Sequence, residues 1–333
     1  YIPKSNGKKR PLGIPTVRDR VAQAIVKNIL EPEWEATFEP NSYGFRPGRS
    51  GHDAIEQCFL RLRGGNSRIK DTWVLDADIS GFFDNVAHKS ILNMIGSVPQ
   101  SELIKEWLKA GYIDKGMYNP TETGTPQGGV ISPLLANIGL HGIEEYIKTA
   151  NPKLGIIRYA DDFVVTAKDK ESLEQVLILI KQWLSNRGLE ISYEKTRIVH
   201  ISDGFDFLGF NLRHYNGKLL IKPQKEKVLA FCKKIGSTLS QMKARTQEDV
   251  IKTLNPLLRG FANYYRGAVS KETFSYIRNR VKIYLWHWAK RRHPNQSKTW
   301  VQKRYYHSFR GDNWTFVCKG TDRKGKEKLQ ILD

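Results

Sequence analysis

Three acidic residues in two places are the first candidates for chemistry. Asp78 closes the run Trp73-Val74-Leu75-Asp76-Ala77-Asp78-Ile79, and Asp161–Asp162 stand between two β-rich runs inside 155–167. Hard divalent cations take carboxylate oxygens as ligands. Carboxylates gathered without such cations repel and raise one another's pKa. A strand-end Asp beside an Asp pair at a hairpin tip therefore suits two-cation catalysis. One cation activates a hydroxyl nucleophile, and the other holds a triphosphate and stabilises the leaving pyrophosphate. Each signal alone has a plainer reading: Asp-Asp is ordinary turn chemistry, and Asp78 could cap a helix or pair with a base. The weight lies in the combination.

To meet, these acids need a sheet. Alternation in the first run puts Val74, Asp76 and Asp78 on one face of a strand, with Trp73, Leu75, Ala77 and Ile79 on the other. The runs around Asp161–Asp162 read as a hairpin with the acids at its tip. Helical spacing of Val21, Ile25, Val26, Ile29 and Leu30 predicts a helix over 21–30. Ser50 is placed to cap a helix reaching about Leu62. Further helices are expected over 88–96, 101–111 and 133–149. Asp169 opens an amphipathic helix with a buried stripe of Leu173, Val176, Leu177, Ile180, Trp183 and Leu184, ended by Gly188. β-type runs follow near 196–201 and 205–213, while Pro3, Pro11 and Pro15 keep 1–20 extended. The order fits a small antiparallel sheet with helices on one face, an α+β plan. Beyond Pro223 the pattern turns helical and basic to about Lys290, which sets a domain boundary near 222.

Composition narrows the partners. The formal charge is +20 over 333 residues, and it is uneven. Residues 223–333 carry 25 Lys/Arg against 8 Asp/Glu, whereas residues 1–222 carry 29 against 26. A near-neutral body with a strongly basic final third points to a polyanion-binding appendage. Cys58, Cys232 and Cys318 form no Cys-x-x-Cys pair, and the eight histidines show no paired-ligand spacing. This argues against a zinc ribbon, a disulfide framework or a transition-metal site, and suits a reducing compartment. No apolar run is long enough for a membrane span. With no secretion signal visible, a cytoplasmic, nucleoid-associated or organellar location is expected. The chain starts without Met, which reads as a fragment.

Seven ordered blocks carry a family likeness. Asp78-Ile79-Ser80-Gly81-Phe82-Phe83-Asp84 resembles the first metal-binding motif of reverse transcriptases. Tyr159-Ala160-Asp161-Asp162 resembles their aromatic-x-Asp-Asp box, and Gly124-Thr125-Pro126-Gln127-Gly128-Gly129-Val130-Ile131-Ser132-Pro133 is similar to the segment that floors the nucleotide pocket. The blocks 10–15 (Arg-Pro-Leu-Gly-Ile-Pro), 42–48 (Ser-Tyr-Gly-Phe-Arg-Pro-Gly), 192–196 (Ser-Tyr-Glu-Lys-Thr) and 207–210 (Phe-Leu-Gly-Phe) agree in order. The resemblance implies a right-hand polymerase fold, with fingers and palm in 1–222 and two Mg²⁺ ions held by Asp78, Asp161, Asp162 and the Ile79 carbonyl. It implies that Lys4 and Arg10 grip the triphosphate of a deoxynucleotide, that Phe83 crowds a ribose 2′-hydroxyl, and that Gln127 lines the nucleotide pocket. Gly128 and Gly129 would let the backbone approach the primer–template, and Lys195 would contact nucleic acid. Asp76 is given no ligand role.

The final third resembles domain X, the thumb and maturase region of group II intron proteins. The likeness rests on Leu257-Leu258-Arg259-Gly260-Phe261-Ala262-Asn263-Tyr264-Tyr265-Arg266-Gly267, with support from 286–294 and 311–316. It implies a thumb over 223–310 and the start of a DNA-binding or C-terminal extension over 311–333. Arg259, Tyr265, Arg266, Arg278, Arg291, Arg292 and Arg304 are the expected nucleic-acid contacts, while Tyr264, Tyr276, Tyr284 and Trp288 can line a packed helical side. The implied function is RNA-directed DNA polymerase and splicing maturase. The implied partners are group II intron RNA in a lariat ribonucleoprotein, target DNA and deoxynucleoside triphosphates, with no membrane. An RNA-binding maturase without catalysis would show a broken Asp-Asp box. Retron, diversity-generating and CRISPR-associated reverse transcriptases would lack a domain X of this type. The family's N-terminal extension and cysteine-paired endonuclease module do not occur between Tyr1 and Asp333; whether the natural protein carries them stays open.

Overall fold

Strand Trp73–Asp78 is paired along both edges, and this pairing organises the first of two structural units. In the computed structural model the sheet order is Gly155–Tyr159, Asp162–Ala167, Trp73–Asp78, Arg197–His200, antiparallel throughout. The structure describes residues 2–3, 9–10, 12–64, 71–125, 128–309, 311–321 and 327–332. Alternation does what the sequence requires of it. Leu75, Ala77, Ile156, Phe163 and Val165 turn to one face and join a core with Leu173, Val176, Ile180, Trp183 and Leu184 of helix Lys170–Ser185. That helix starts at Asp169, whose carboxylate accepts from the Ser172 amide at 2.9 Å.

Other elements depart from expectation for local reasons. The first helix spans Val17–Thr37, because the Thr16 hydroxyl caps it by accepting from the Asp19 amide. The helix expected over 133–149 is two, Ser132–Gly139 and Ile143–Ala150, broken where Gly142 adopts φ +94°. Ser50 and Asp53 form a reciprocal capping box for Gly51–Leu62. The hairpin Tyr112–Asp114/Met117–Asn119 was not anticipated; Lys115 and Gly116, both at positive φ, make its turn.

The second unit comprises Gly209–Leu212 and the chain from Leu220 onward. Helices Lys225–Gln241, Gln247–Tyr265, Lys271–Arg292 and Lys298–Tyr305 enclose a core of Ile235, Val250, Leu254, Val281, Leu285 and Trp288. The described residues of 311–333 join this unit rather than standing apart. Their strands Asp312–Thr321 and Glu327–Ile331 pair with each other, the former also with Tyr306–Phe309, and Phe316 enters the helical core. No helix among the described residues is long and apolar enough to cross a membrane. Trp288 is buried and donates its indole N–H to the Met242 carbonyl at 2.9 Å. Trp288→Ala is expected to lower unfolding free energy by about 3–5 kcal/mol, read from urea titration.

Candidate active site

Register brings the acids together. Asp78 and Asp162 lie directly opposite each other across neighbouring strands, where Cβ atoms sit about 5 Å apart and like charges destabilise. Asp161 occupies the two-residue turn between Tyr159 and Asp162, which are paired. Ala160, the other turn residue, has φ +57°. Positive φ at the first turn position alone is the pattern of a type II′ turn, where glycine is usual.

The loop 41–49 explains how alanine is held there. The Tyr43 amide donates to the Arg158 carbonyl and the Arg158 amide to the Asn41 carbonyl, both at 2.9 Å. A side chain at Gly44 would overlap the Ala160 backbone nitrogen. The glycine of this block therefore serves a close approach to the hairpin tip.

Charge at the site is unbalanced. Loss of water around the Asp162 carboxyl, then the Asp161 and Asp78 carboxylates, push it up to about 7 against the opposing pull of Lys195. Lys195 Nζ stands 2.9 Å from Asp78 Oδ2, and that hydrogen bond raises the Lys195 pKa. Lys195, expected on nucleic acid, is thus a cation inside the acid cluster. Asp76, one step back on the same face, is pushed up to about 6 by desolvation, which Arg197 Nε at 3.3 Å only partly opposes.

The donor set fits Mg²⁺. Among the described residues no three His, Cys, Asp or Glu side chains form a ready-made metal cage. Mg²⁺ does not need one, since it binds through one or two carboxylates and completes its shell with water and substrate phosphates. Asp78 and Asp162 supply carboxylates from two strands, and an ammonium already sits on one of them.

The remaining expected residues divide. Ile79 is buried and bridges to Ile191. Phe83 is half-buried, edge-on to Phe82 at 5.3 Å and to Phe45 at 6.3 Å. Lys4 and Gln127 lie outside the described residues. Arg10 pairs with Ile2 in a short antiparallel ladder through its backbone. Gly128 has φ +109°, and a side chain there would overlap the Gly13 carbonyl, so the chain itself accounts for this glycine. Gly129 is buried, and the next amide, Val130, donates to Gln23 Oε1 at 2.8 Å.

In the second unit Arg259, Arg266, Arg278, Arg291 and Arg304 are exposed. One assignment is corrected. Tyr265 is buried, edge-on to Phe210 at 5.1 Å, and donates to the Gly209 carbonyl, so its ring faces no base. Arg292 is exposed; its Nη1 donates to the Lys243 and Arg245 carbonyls at 2.7 Å and its guanidinium lies over Trp288, so it also braces the 242–246 loop. Tyr264, expected in packing, stacks on Phe210 at 5.2 Å while keeping 37% exposure, and Tyr276, also expected in packing, keeps 43%. Sequence reasoning missed Arg158 and Asn137, which lie behind the hairpin; a charged residue in an otherwise apolar β-type run was the available signal for Arg158.

Residues 2–212 match the family model described as reverse transcriptase (RNA-dependent DNA polymerase), and residues 228–306 match that for the group II intron maturase-specific domain. The chain is 30% identical to the group II intron-encoded protein LtrA of Lactococcus lactis, over 83% of this chain and 61% of that one. It is 38% identical to protein YkfC of Escherichia coli, over 64% and 65% respectively. The chain thus spans less than two thirds of either relative. Apo telomerase from Candida tropicalis shares the fold, with TM-score 0.51 at 12% identity over 82% of this chain and 54% of that one.

A carboxyl whose folded pKa exceeds its unfolded value of about 3.9 keeps its proton longer in the native state. Stability is then lost as pH rises between the two values. In metal-free protein the melting point of wild type relative to Asp162→Asn should fall from pH 4 to pH 7. Mg²⁺ should restore it at pH 8 and do little at pH 5. Calorimetry showing no such pH-dependent difference would contradict the charge cluster.

Proposed function

Because this chain belongs to the reverse transcriptase family and carries a group II intron maturase-specific segment, we propose that it copies intron RNA into DNA and assists splicing of that RNA. The observation that carries the catalytic half is the placement of Asp78 opposite Asp162, with Asp161 in the adjoining turn. Two Mg²⁺ ions, when bound, supply the acidity that generates the attacking primer 3′-oxygen and the charge that stabilises departing pyrophosphate.

The chain's own residues do the rest. Asp78, Asp161 and Asp162 hold the ions, joined by the Ile79 carbonyl. Lys195 neutralises Asp78 while it waits and can give way to a cation. Phe83, whose ring is half-exposed, is assigned to the sugar position on the strength of the family motif, where it would favour deoxynucleotides. Lys4, Arg10 and Gln127 are assigned to the incoming triphosphate on the strength of the family motif.

The maturase half rests on the basic second unit. Its exposed arginines Arg259, Arg266, Arg278, Arg291 and Arg304 offer phosphate contacts, and exposed Tyr276 offers a stacking face. The partners are a group II intron RNA, retained as a lariat ribonucleoprotein, and a DNA target whose cleaved strand primes synthesis. Such a particle belongs in a bacterial cytoplasm or an organelle.

Two outcomes test this reading. Asp161→Asn and Asp162→Asn should each lower deoxynucleotide incorporation by on the order of a hundredfold or more while leaving RNA binding intact; near-normal extension by either would remove the metal assignment. Arg291→Glu with Arg304→Glu should weaken intron RNA binding and flatten its salt dependence, with copying of a homopolymer largely kept. Equal losses in both assays would count against a separate RNA-binding surface.

A further inference from the structure

Arg158 is the one permanently charged side chain on the core face of the four-stranded sheet. It stands opposite Phe163, with Ile156, Leu75, Ala77 and Val165 on the same face, and is only 2% exposed. Burial pushes its pKa down to about 10, which still leaves it charged at neutral pH. Taking a guanidinium out of water is costly, and an apolar side chain of similar volume is often no less stable in such a place. Stability alone does not account for it.

Its contacts point to the catalytic turn. Arg158 NH1 reaches the Ala160 carbonyl at 3.4 Å and Asn137 Oδ1 at 3.2 Å. Asn137 in turn donates to the Gly44 carbonyl at 2.8 Å. Arg158 NH2 lies 3.6 Å from Glu39 Oε2, a charge contact longer than a hydrogen bond. The other oxygen of Glu39 accepts from the Gly142 and Glu144 amides at 2.8 and 2.9 Å, around the start of helix Ile143–Ala150. A carboxylate is favoured at a helix N-terminus, so Glu39 is fixed from one side and holds the guanidinium from the other. One buried cation thus links a helix, the 41–49 loop and the carbonyl of a residue at φ +57°.

We propose that Arg158 is a positioning residue for nucleotide addition, fastening the Ala160–Asp161 turn so that Asp161 projects beside Asp162. It acts through the Ala160 carbonyl and touches no substrate. The inference rests on Asp161 and Asp162 being metal ligands.

The test uses Arg158→Met combined with Glu39→Gln, which removes both buried charges together. This variant should melt within a few degrees of wild type and bind RNA normally. Its Mn²⁺ affinity, read by electron paramagnetic resonance with primer–template bound, should fall about tenfold or more, and the Mg²⁺ needed for half-maximal extension should rise in parallel. Arg158→Lys, which keeps the charge but not the paired donors, should fall between. Unchanged Mn²⁺ affinity and Mg²⁺ requirement would overturn the proposal, as would losses that merely track a lower melting point. Should the double variant not fold, Asn137→Ala removes the acceptor that aims the guanidinium, and the same two shifts are required of it. Asp161→Asn, run alongside, separates the two claims: if it keeps normal metal binding, the ligand assignment fails whatever Arg158 does.

Discussion

An antiparallel register that sets Asp78 against Asp162 is the constraint on which the first unit turns. Opposed like charges across a sheet work against folding, and here the chain places a third acid in the adjoining turn. One ammonium, Lys195, relieves part of the conflict. The remainder appears as a carboxyl that gives up its proton reluctantly. A site of this kind is stable enough to form and strained enough to welcome a divalent cation, which is what a metal-dependent transferase needs from its resting state.

The conflict is contained by what lies behind and beside the hairpin. On the apolar face, Phe163 and Val165 anchor the strand that begins with Asp162. Beside the tip, the 41–49 loop fastens to Arg158 by backbone hydrogen bonds and leaves room at Gly44 for the turn to pass. At the far end, Arg61 binds Asp71 at 2.7 Å, and the Thr166 hydroxyl donates to the same carboxylate. Each support is buried or half-buried, so the acids are presented by a rigid frame rather than by a mobile loop.

Much of this was legible in the chain. Alternation from Trp73 onward correctly sorted the acids from the core, and Asp169 and Ser50 announced their helices by capping chemistry. What was not legible is long-range. The register that opposes Asp78 to Asp162 depends on strands more than eighty residues apart in sequence, and no local pattern specifies it. The split at Gly142 and the Lys115–Gly116 hairpin turn hinge on positive φ values that composition only hints at. In the second unit, Tyr265 joins Tyr264 in packing against Phe210 instead of facing a base, because the sequence alone did not set the helix's rotation. The hydrogen bonds by which Arg292 braces the 242–246 loop are likewise long-range and had no local signal.

The most direct measurement is diffraction from crystals grown with primer–template, a non-hydrolysable deoxynucleotide and Mn²⁺, read by anomalous scattering. The account predicts metal peaks contacted by Asp78 and Asp162, with Lys195 moved off the Asp78 carboxylate. Manganese bound elsewhere, with the Lys195–Asp78 pair intact, would contradict it.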